Sequence, residues 1–181
     1  MFRHIAAAVM IAWLAAPAVA GAADRRDLRL LDEVAQKVNT YAWFTVFDDI
    51  NASIDNGVVT LTGKVTMPYK RNEIAKRVAK IDGVREVHNK IDVLPVSQMD
   101  DDLRYRIARA IYSHPAFWHY ATMVDPPIHI VVDRGHVTLT GVVNSEVDRM
   151  IARSLASQSL AFSVKSEIKT TAEARRDAEG A

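Results

Sequence analysis

Two stretches of hydrophobic and polar residues in this chain nearly repeat each other. Residues 54–65 read Ile-Asp-Asn-Gly-Val-Val-Thr-Leu-Thr-Gly-Lys-Val, and residues 132–143 read Val-Asp-Arg-Gly-His-Val-Thr-Leu-Thr-Gly-Val-Val. Each is a hydrophobic run interrupted by a two-residue turn that ends in glycine, which predicts a strand, a tight turn and a second strand. Asn56-Gly57 is the preferred pair for a type I′ hairpin turn. Two such hairpins predict a tandem duplication.

Hydrophobic residues with helical spacing precede the first hairpin. Between residues 24 and 39 they recur every three or four positions, which predicts an amphipathic helix with one buried face. A second helix begins at Pro68 and is ended by Gly83, and an alternating strand follows over 84–93. The residues expected on the buried face of the first helix are Leu28, Leu31, Ala35 and Val38.

The second copy repeats this order of elements. Together the copies predict an α+β fold of two small tandem domains, each arranged helix-strand-strand-helix-strand. The expected limits are 24–94 for domain 1, 95–99 for a linker, 100–170 for domain 2 and 171–181 for a disordered tail. The short linker permits either packing or independent motion of the domains. The elements predicted in domain 2 are helices over 101–113 and 145–157 and strands over 128–133, 136–143 and 162–170.

The first 20 residues are typical of an export signal. Arg3 precedes an apolar run from Ile5 to Leu14, and the small residues Ala18 and Ala20 mark a cleavage site. The apolar run is too short to span a bilayer about 30 Å thick. We therefore expect cleavage near Ala20 and a periplasmic mature protein. An uncleaved N-terminal anchor is the alternative.

Composition and charge narrow the classes of partner. The 181 residues include no cysteine, so neither disulfides nor a lipid-modified cysteine are expected. Residues 1–20 contain one base, Arg3, and no acid, so their removal leaves 22 basic and 22 acidic residues. Nucleic-acid binders normally carry a basic excess, and we expect no nucleic-acid partner. No later stretch is apolar enough to predict a transmembrane span.

Sequence motifs for catalysis and metal binding are missing. The chain has no nucleophile elbow, no P-loop and no glycine-rich dinucleotide motif. Its histidines lack the spacing of metal ligands. We therefore expect a non-enzymatic protein with neither cofactor nor metal.

Aromatic residues are concentrated after the first helix of each domain. When Leu28 is aligned with Leu103, Trp43 falls on Trp118. One interpretation is that the rings pack over the sheets or between the domains. The other is that one cluster is exposed and meets lipid headgroups or a partner. The two clusters are Tyr41, Trp43, Phe44 and Phe47 in domain 1, and Tyr112, Phe117, Trp118 and Tyr120 in domain 2.

Domain 2 is the better candidate for an exposed cluster. Arginines lie on the helix that leads into its rings, and basic residues beside aromatic ones favour anionic lipid. The sequence therefore predicts a ligand- or partner-binding site there. Its expected members are Tyr112, Phe117, Trp118, Tyr120, Arg104 and Arg109.

The ordered pattern of both copies resembles the BON domain, a module of osmotically inducible and nodulation-type bacterial envelope proteins. The match runs over 56–91 in the first copy and 135–168 in the second, within a resemblance that covers nearly all of 24–170. It implies that each domain has a three-stranded mixed sheet packed on two helices. It also implies an envelope location and a binding role rather than catalysis. The motif glycines are Gly57, Gly63, Gly83, Gly135 and Gly141.

The resemblance further implies a free-standing, twin-domain periplasmic protein. Such a protein is expected to contact anionic phospholipid or envelope proteins and to support envelope integrity under stress. The alternative is a chaperone-like protein that shields unfolded clients. Domain 2 has Leu160-Ala161 where domain 1 has Gly83-Val84, and this departure suggests that the copies have divided roles.

Overall fold

The computed structural model describes residues 20–179, with side chains described over 25–177. The predicted export signal lies outside these residues except for Ala20, where the first helix begins. The predicted α+β class and the two tandem domains are confirmed. Among the described helices, none combines the length and apolarity needed to traverse a bilayer.

Domain 1 is a mixed three-stranded sheet with two helices. Strand β2 lies in the centre, antiparallel to β1 and parallel to β3. Residues from both helices and all three strands share one hydrophobic core, which includes Val34, Leu61, Ile74 and Ile91. The elements are α1 (Ala20–Asn39), β1 (Asp49–Asp55), β2 (Val58–Val65), α2 (Pro68–Val78) and β3 (Glu86–Val93).

The buried face of α1 differs from the expected one. Leu28 is 51% exposed, and Leu31 and Ala35 are not buried either, so only Val38 was assigned correctly. The helix buries Leu30 and Val34 instead, because leucines on two of its sides allow two nearly equivalent stripes. Leu30 thus corresponds to Leu103, and the alignment of Trp43 with Trp118 through Leu28 was wrong.

Domain 2 repeats this plan with extra short elements. Strands β6 and β7 both run parallel to the central β5, and β4 runs antiparallel to it. The single last strand expected over 162–170 is interrupted at Glu167, whose backbone N–H still donates to Leu139 O (2.7 Å). The elements are α3 (Gln98–Tyr112), a 3₁₀ turn (Pro115–Phe117), α4 (Trp118–Ala121), β4 (Ile128–Asp133), β5 (His136–Val143), α5 (Glu146–Ser157), β6 (Ser163–Ser166) and β7 (Lys169–Thr170).

Residues 171–179 are helical, whereas a disordered tail was expected over 171–181; residues 180 and 181 lie outside the described residues. Helix α6 spans Thr171–Glu179. Thr170 and Glu173 form a reciprocal cap, in which Thr170 N donates to Glu173 Oε2 (2.8 Å) and Glu173 N donates to Thr170 Oγ1 (3.2 Å). These hydrogen bonds lower the pKa of Glu173, and Arg149 on α5 pairs with the same carboxylate. The Thr-x-x-Glu spacing signals this helix in the sequence.

An aspartate on the first helix of each domain binds the hairpin turn. Asp27 Oδ2 accepts from Asn56 N (2.9 Å), and Asp100 accepts from the backbone N–H groups of Arg134 (2.9 Å) and Gly135 (2.7 Å). Both residues of each turn have positive φ, as type I′ geometry requires. The same contact therefore joins helix to hairpin in both copies.

Glycines at equivalent positions of β2 and β5 allow a close approach of the neighbouring backbone. A Cβ at Gly63 would lie 2.1 Å from Asp49 O, and one at Gly141 would lie 1.8 Å from Pro127 O. Neither position can hold a side chain unless the adjacent strand moves.

The two domains contact each other through the β1 side of domain 1 and the β4–β5 face of domain 2. Their sheets remain separate. The hydrogen bond from Lys64 lowers the pKa of Asp133. The polar contacts are a hydrogen bond from Ile130 N to Val46 O (2.6 Å), an ion pair between Lys64 and Asp133 (2.6 Å) and a hydrogen bond from Thr140 Oγ1 to Asp49 Oδ1 (2.8 Å).

Candidate binding surfaces

Two of the rings predicted to bind a partner are buried instead. Phe117 and Tyr120 stack on each other, with ring centroids 6.0 Å apart, and belong to the hydrophobic core of domain 2. The 3₁₀ turn before α4 points Phe117 inward, and the burial of both rings removes them from any surface.

Arg104 is also buried rather than available to a ligand. Its Nη2 donates to the Val132 carbonyl (2.6 Å) near the end of β4, and its Nη1 pairs with Asp101. A guanidinium that donates to a buried carbonyl stabilises the fold. Arg104 therefore does not lie on the surface where the site was predicted.

Tyr112 serves to position the strand that follows the aromatic segment. Its hydroxyl donates to the Ile128 carbonyl (2.5 Å), and burial raises its pKa well above the usual value. Of the six predicted residues, only Trp118 and Arg109 remain exposed.

Trp118 is 73% exposed, although Phe117 just before it and Tyr120 two residues after it are buried. Other exposed apolar side chains lie on the loop after α4 and on the first turns of α5. None of these residues is among those predicted for the site, although Val147 and Met150 lie on α5 opposite the buried Ala152 and Ala156 and give this helix a second apolar side. The apolar surface of domain 2 comprises Trp118, Met123, Val124, Val147 and Met150.

The equivalent surface of domain 1 combines aromatic rings with charged side chains. Helices α2 and α5 begin 78 residues apart, so Tyr69 corresponds to Val147 and Glu73 to Ile151. Trp43 is 62% exposed and meets Tyr69 edge to face, with centroids 6.5 Å apart and planes at 88°. These rings border a groove of about 460 Å³, the domain 1 groove, which is lined by Tyr41, Trp43, Tyr69, Glu73, Lys76 and Arg77.

A buried polar linkage in domain 1 joins the loop after α1 to α2. Asp48 is fully buried and accepts hydrogen bonds from Thr45 N (2.9 Å), Thr66 N (2.8 Å) and Lys70 Nζ (2.6 Å), and from both threonine hydroxyls. Lys70 is buried as well, so the pair is shielded from water. The linkage holds the loop after α1, which carries Trp43, against α2.

Domain 2 makes the equivalent linkage with a phenol. The Tyr120 hydroxyl accepts from Asn144 N (2.7 Å) and donates to Asp148 Oδ2 (3.1 Å) on α5. Burial raises the pKa of Tyr120, so it stays protonated and able to donate. The segment that presents Trp118 is therefore held firmly against α5.

Within residues 25–177, no group of three or more histidine, aspartate or glutamate side chains is placed to hold a metal ion. His129 packs against the Phe44 ring at the domain contact, with centroids 5.4 Å apart. The surfaces above offer apolar contact, ring faces and charge. Groups of these kinds can bind a ligand or a partner by non-covalent contacts.

The sequence of this chain matches a known protein family in both domains. The sequence model of the BON domain matches residues 27–95 and matches again at residues 100–172. The chain belongs to the BON domain family. BON domains are non-catalytic binding domains associated with lipid and membrane binding, and the two matches confirm the twin-domain organisation. Proteins that contain BON domains are typically periplasmic or membrane-associated.

Solved structures add only a distant likeness to this BON protein. One is CdsD, a structural protein of the type III secretion system of Chlamydia trachomatis, which is 13% identical with a TM-score of 0.28 over 84% of this chain and 96% of that one. Its C-terminal domain in a second structure is 11% identical with a TM-score of 0.27 over 78% and 96%. Likeness at this level carries no functional argument. No curated protein matches the sequence.

Proposed function

We propose that this protein binds anionic phospholipid at the bacterial cell envelope through the apolar surface of domain 2. The observation that carries the proposal is the exposed Trp118 on a segment whose neighbouring rings, Phe117 and Tyr120, are buried. An indole prefers the boundary between lipid headgroups and acyl chains, because its body is apolar and its N–H is polar.

The anchoring of this segment supports the proposal. Tyr120 holds α4 to α5 through Asn144 and Asp148, so Trp118 is presented without a large loss of conformational freedom on binding. Several large apolar side chains are exposed on these two elements and the loop after α4, and exposed apolar side chains that lie together mark interaction sites. Full burial of a large apolar side chain contributes about 1.5–3 kcal/mol.

A basic residue on the helix that leads into this surface favours anionic lipid. Arg109 is exposed in the last turn of α3, shortly before the segment that carries Trp118. A basic residue close to an anionic membrane contributes about 1 kcal/mol, and this attraction weakens as salt screens it. The periplasmic location and the role in envelope integrity belong to the same proposal and are supported by the family and the N-terminal sequence.

Flotation with phosphatidylglycerol vesicles tests the lipid contact. We expect the wild-type protein to float with the vesicles, and Trp118→Ala to weaken binding about tenfold or more, because the loss of one inserted side chain removes at least about 1.4 kcal/mol. Phe162→Ala is the matched control. Phe162 is 72% exposed but lies beside the hairpin turn, at the opposite end of domain 2 from Asn144.

Equal loss of flotation in Trp118→Ala and Phe162→Ala, or no loss in either, would contradict the proposed surface. The chaperone-like alternative gives a different result. In that case the wild-type protein would not float, but it would suppress the aggregation of an unfolding client in the absence of vesicles.

A further inference from the structure

The domain 1 groove places three kinds of chemistry in line along one side of α2. Tyr69, Glu73 and Arg77 follow one another at four-residue intervals, so they occupy one helix face about one turn (~5.4 Å) apart. The order is aromatic, acidic and basic. An ordinary exposed helix face carries charge pairs alone. Here the row begins with the exposed Tyr69, and the exposed Trp43 of the loop after α1 lies beside it.

The aromatic end of the groove suits a cationic group. Trp43 and Tyr69 stand at 88° to each other and leave ring surface open, since Tyr69 is 49% exposed and Trp43 is more so. Ring faces attract ammonium groups through their quadrupole, and the nearby Glu73 carboxylate adds a formal negative charge.

The other end of the groove suits a phosphate. Arg77 lies over the Tyr41 ring, 4.6 Å from its centroid, and Lys76 lies beside it. Arg77 Nε is 3.2 Å from Glu73 Oε1 but makes no hydrogen bond with any described residue. Arg77 and Glu73 thus form an ion pair that leaves Arg77 Nε without a hydrogen bond, and a phosphate that draws the guanidinium outward would give Nε an acceptor.

We propose that the domain 1 groove binds the zwitterionic headgroup of a phospholipid, with its ammonium at Trp43 and Tyr69 and its phosphate at Lys76 and Arg77. Tyr69 and Arg77 are two turns apart along α2, but Arg77 Nε reaches back to Glu73, which is one turn from Tyr69. The two-carbon linker between phosphate and ammonium in such a headgroup spans close to that one remaining turn. The inference rests on the proposed lipid-binding function and adds a headgroup preference to it. Anionic phosphatidylglycerol has no cation to fill the aromatic end.

Domain 2 provides an internal contrast for this site. At the positions of Tyr69, Glu73 and Arg77 it has Val147, Ile151 and Leu155. Those side chains cannot recognise either charge of the headgroup. The two domains would thus recognise different parts of a membrane surface.

Titration of the full chain with soluble phosphoethanolamine and phosphocholine, followed by NMR, tests the site. We expect saturable shifts of the Trp43 indole N–H and none at Trp118. Glycerol phosphate, which lacks the ammonium, should bind about tenfold more weakly, because it forfeits the cation–π contact and the charge pair with Glu73. Tyr69→Ala and Glu73→Gln should each weaken the shifts, whereas Val147→Ala, the matched control in domain 2, should leave them unchanged.

Vesicles then identify the source of the headgroup. Trp43→Ala should lower flotation on mixed phosphatidylethanolamine–phosphatidylglycerol vesicles and leave flotation on pure phosphatidylglycerol unchanged. The inference is overturned if the Trp43 resonance does not shift, if glycerol phosphate binds equally well, or if Trp43→Ala has no effect on mixed vesicles. Because pure phosphatidylglycerol tests Trp118 alone, failure of the groove and failure of the lipid contact through domain 2 give different results.

Discussion

The two domains join the loop after the first helix to the second helix at the same place, with opposite chemistry. In domain 1, Lys70 on α2 donates to the buried Asp48 of the loop. In domain 2 the position of Lys70 is occupied by Asp148, which accepts from the Tyr120 hydroxyl. The helix residue has changed from cation to anion, and the loop residue has changed from carboxylate to phenol.

The comparison shows which hydrogen bonds are kept in both copies although the residues differ. Each copy needs an acceptor for the backbone N–H just before the second helix, supplied by Asp48 for Thr66 and by Tyr120 for Asn144. Each also needs a partner for the polar residue in the first turn of that helix. The linkage is common to both copies, although the pair of residues that makes it differs between them.

Removal of Asp48 gives the largest effect expected in this comparison. Asp48→Ala should lower the free energy of unfolding by about 3–5 kcal/mol, because it leaves the buried Lys70 ammonium without its counter-charge. Urea unfolding measures the change. The double variant Asp48→Ala, Lys70→Met should be less destabilised than Asp48→Ala alone, because it leaves no unpaired ammonium group buried. A loss below about 1 kcal/mol would show that water reaches Lys70 and that the pair is not sealed.

A smaller loss is expected for Tyr120→Phe. This change keeps the core ring but removes the acceptor for Asn144 N and the donor to Asp148, which should cost about 1–3 kcal/mol. Hydrogen exchange of the Asn144 amide should quicken, while amides of domain 1 serve as the control. Unchanged protection at Asn144 would mean that a water replaces the phenol.

The smallest effect is expected at the entry to the last strand. Leu160 has φ +64° and corresponds to Gly83, which has φ +95° in domain 1. Leu160→Gly should raise the free energy of unfolding by roughly 0.5–1 kcal/mol, because the relief of left-handed strain exceeds the entropy cost of glycine. Leu160 is 88% exposed, so little packing is lost. Leu160→Ala keeps the strain and should bring no gain; an equal gain would point to the exposed side chain instead of the backbone.

Much of the fold follows from the repeated hairpin. The alternation and the turns fix the strands, and the order of elements follows once the copies are aligned. The face of α1 could not be predicted in the same way, because Leu28, Leu30 and Leu31 support two stripes and only packing selects one. The tail was mistaken because its charged composition hid the cap formed by Thr170 and Glu173.

The candidate site was predicted only in part, for a related reason. Composition located the aromatic segment, but it does not tell which rings a 3₁₀ turn points inward, and so Phe117 was placed with Trp118. The sequence places Arg104 among the surface charges, but its side chain is buried and donates to the Val132 carbonyl. The contrast between the polar face of α2 and the apolar face of α5 emerges only when both helices are placed in equivalent positions.

The hydrogen bond between Val46 and Ile130 has a consequence for solubility. Strand β4 lies at the border of its sheet, where unpaired N–H and C=O groups can recruit a strand from another molecule. The segment that precedes β1 covers part of that border, so domain 1 shields this part of β4 from strand addition. The contact between the two copies thereby leaves less of the β4 backbone open to a strand from another molecule.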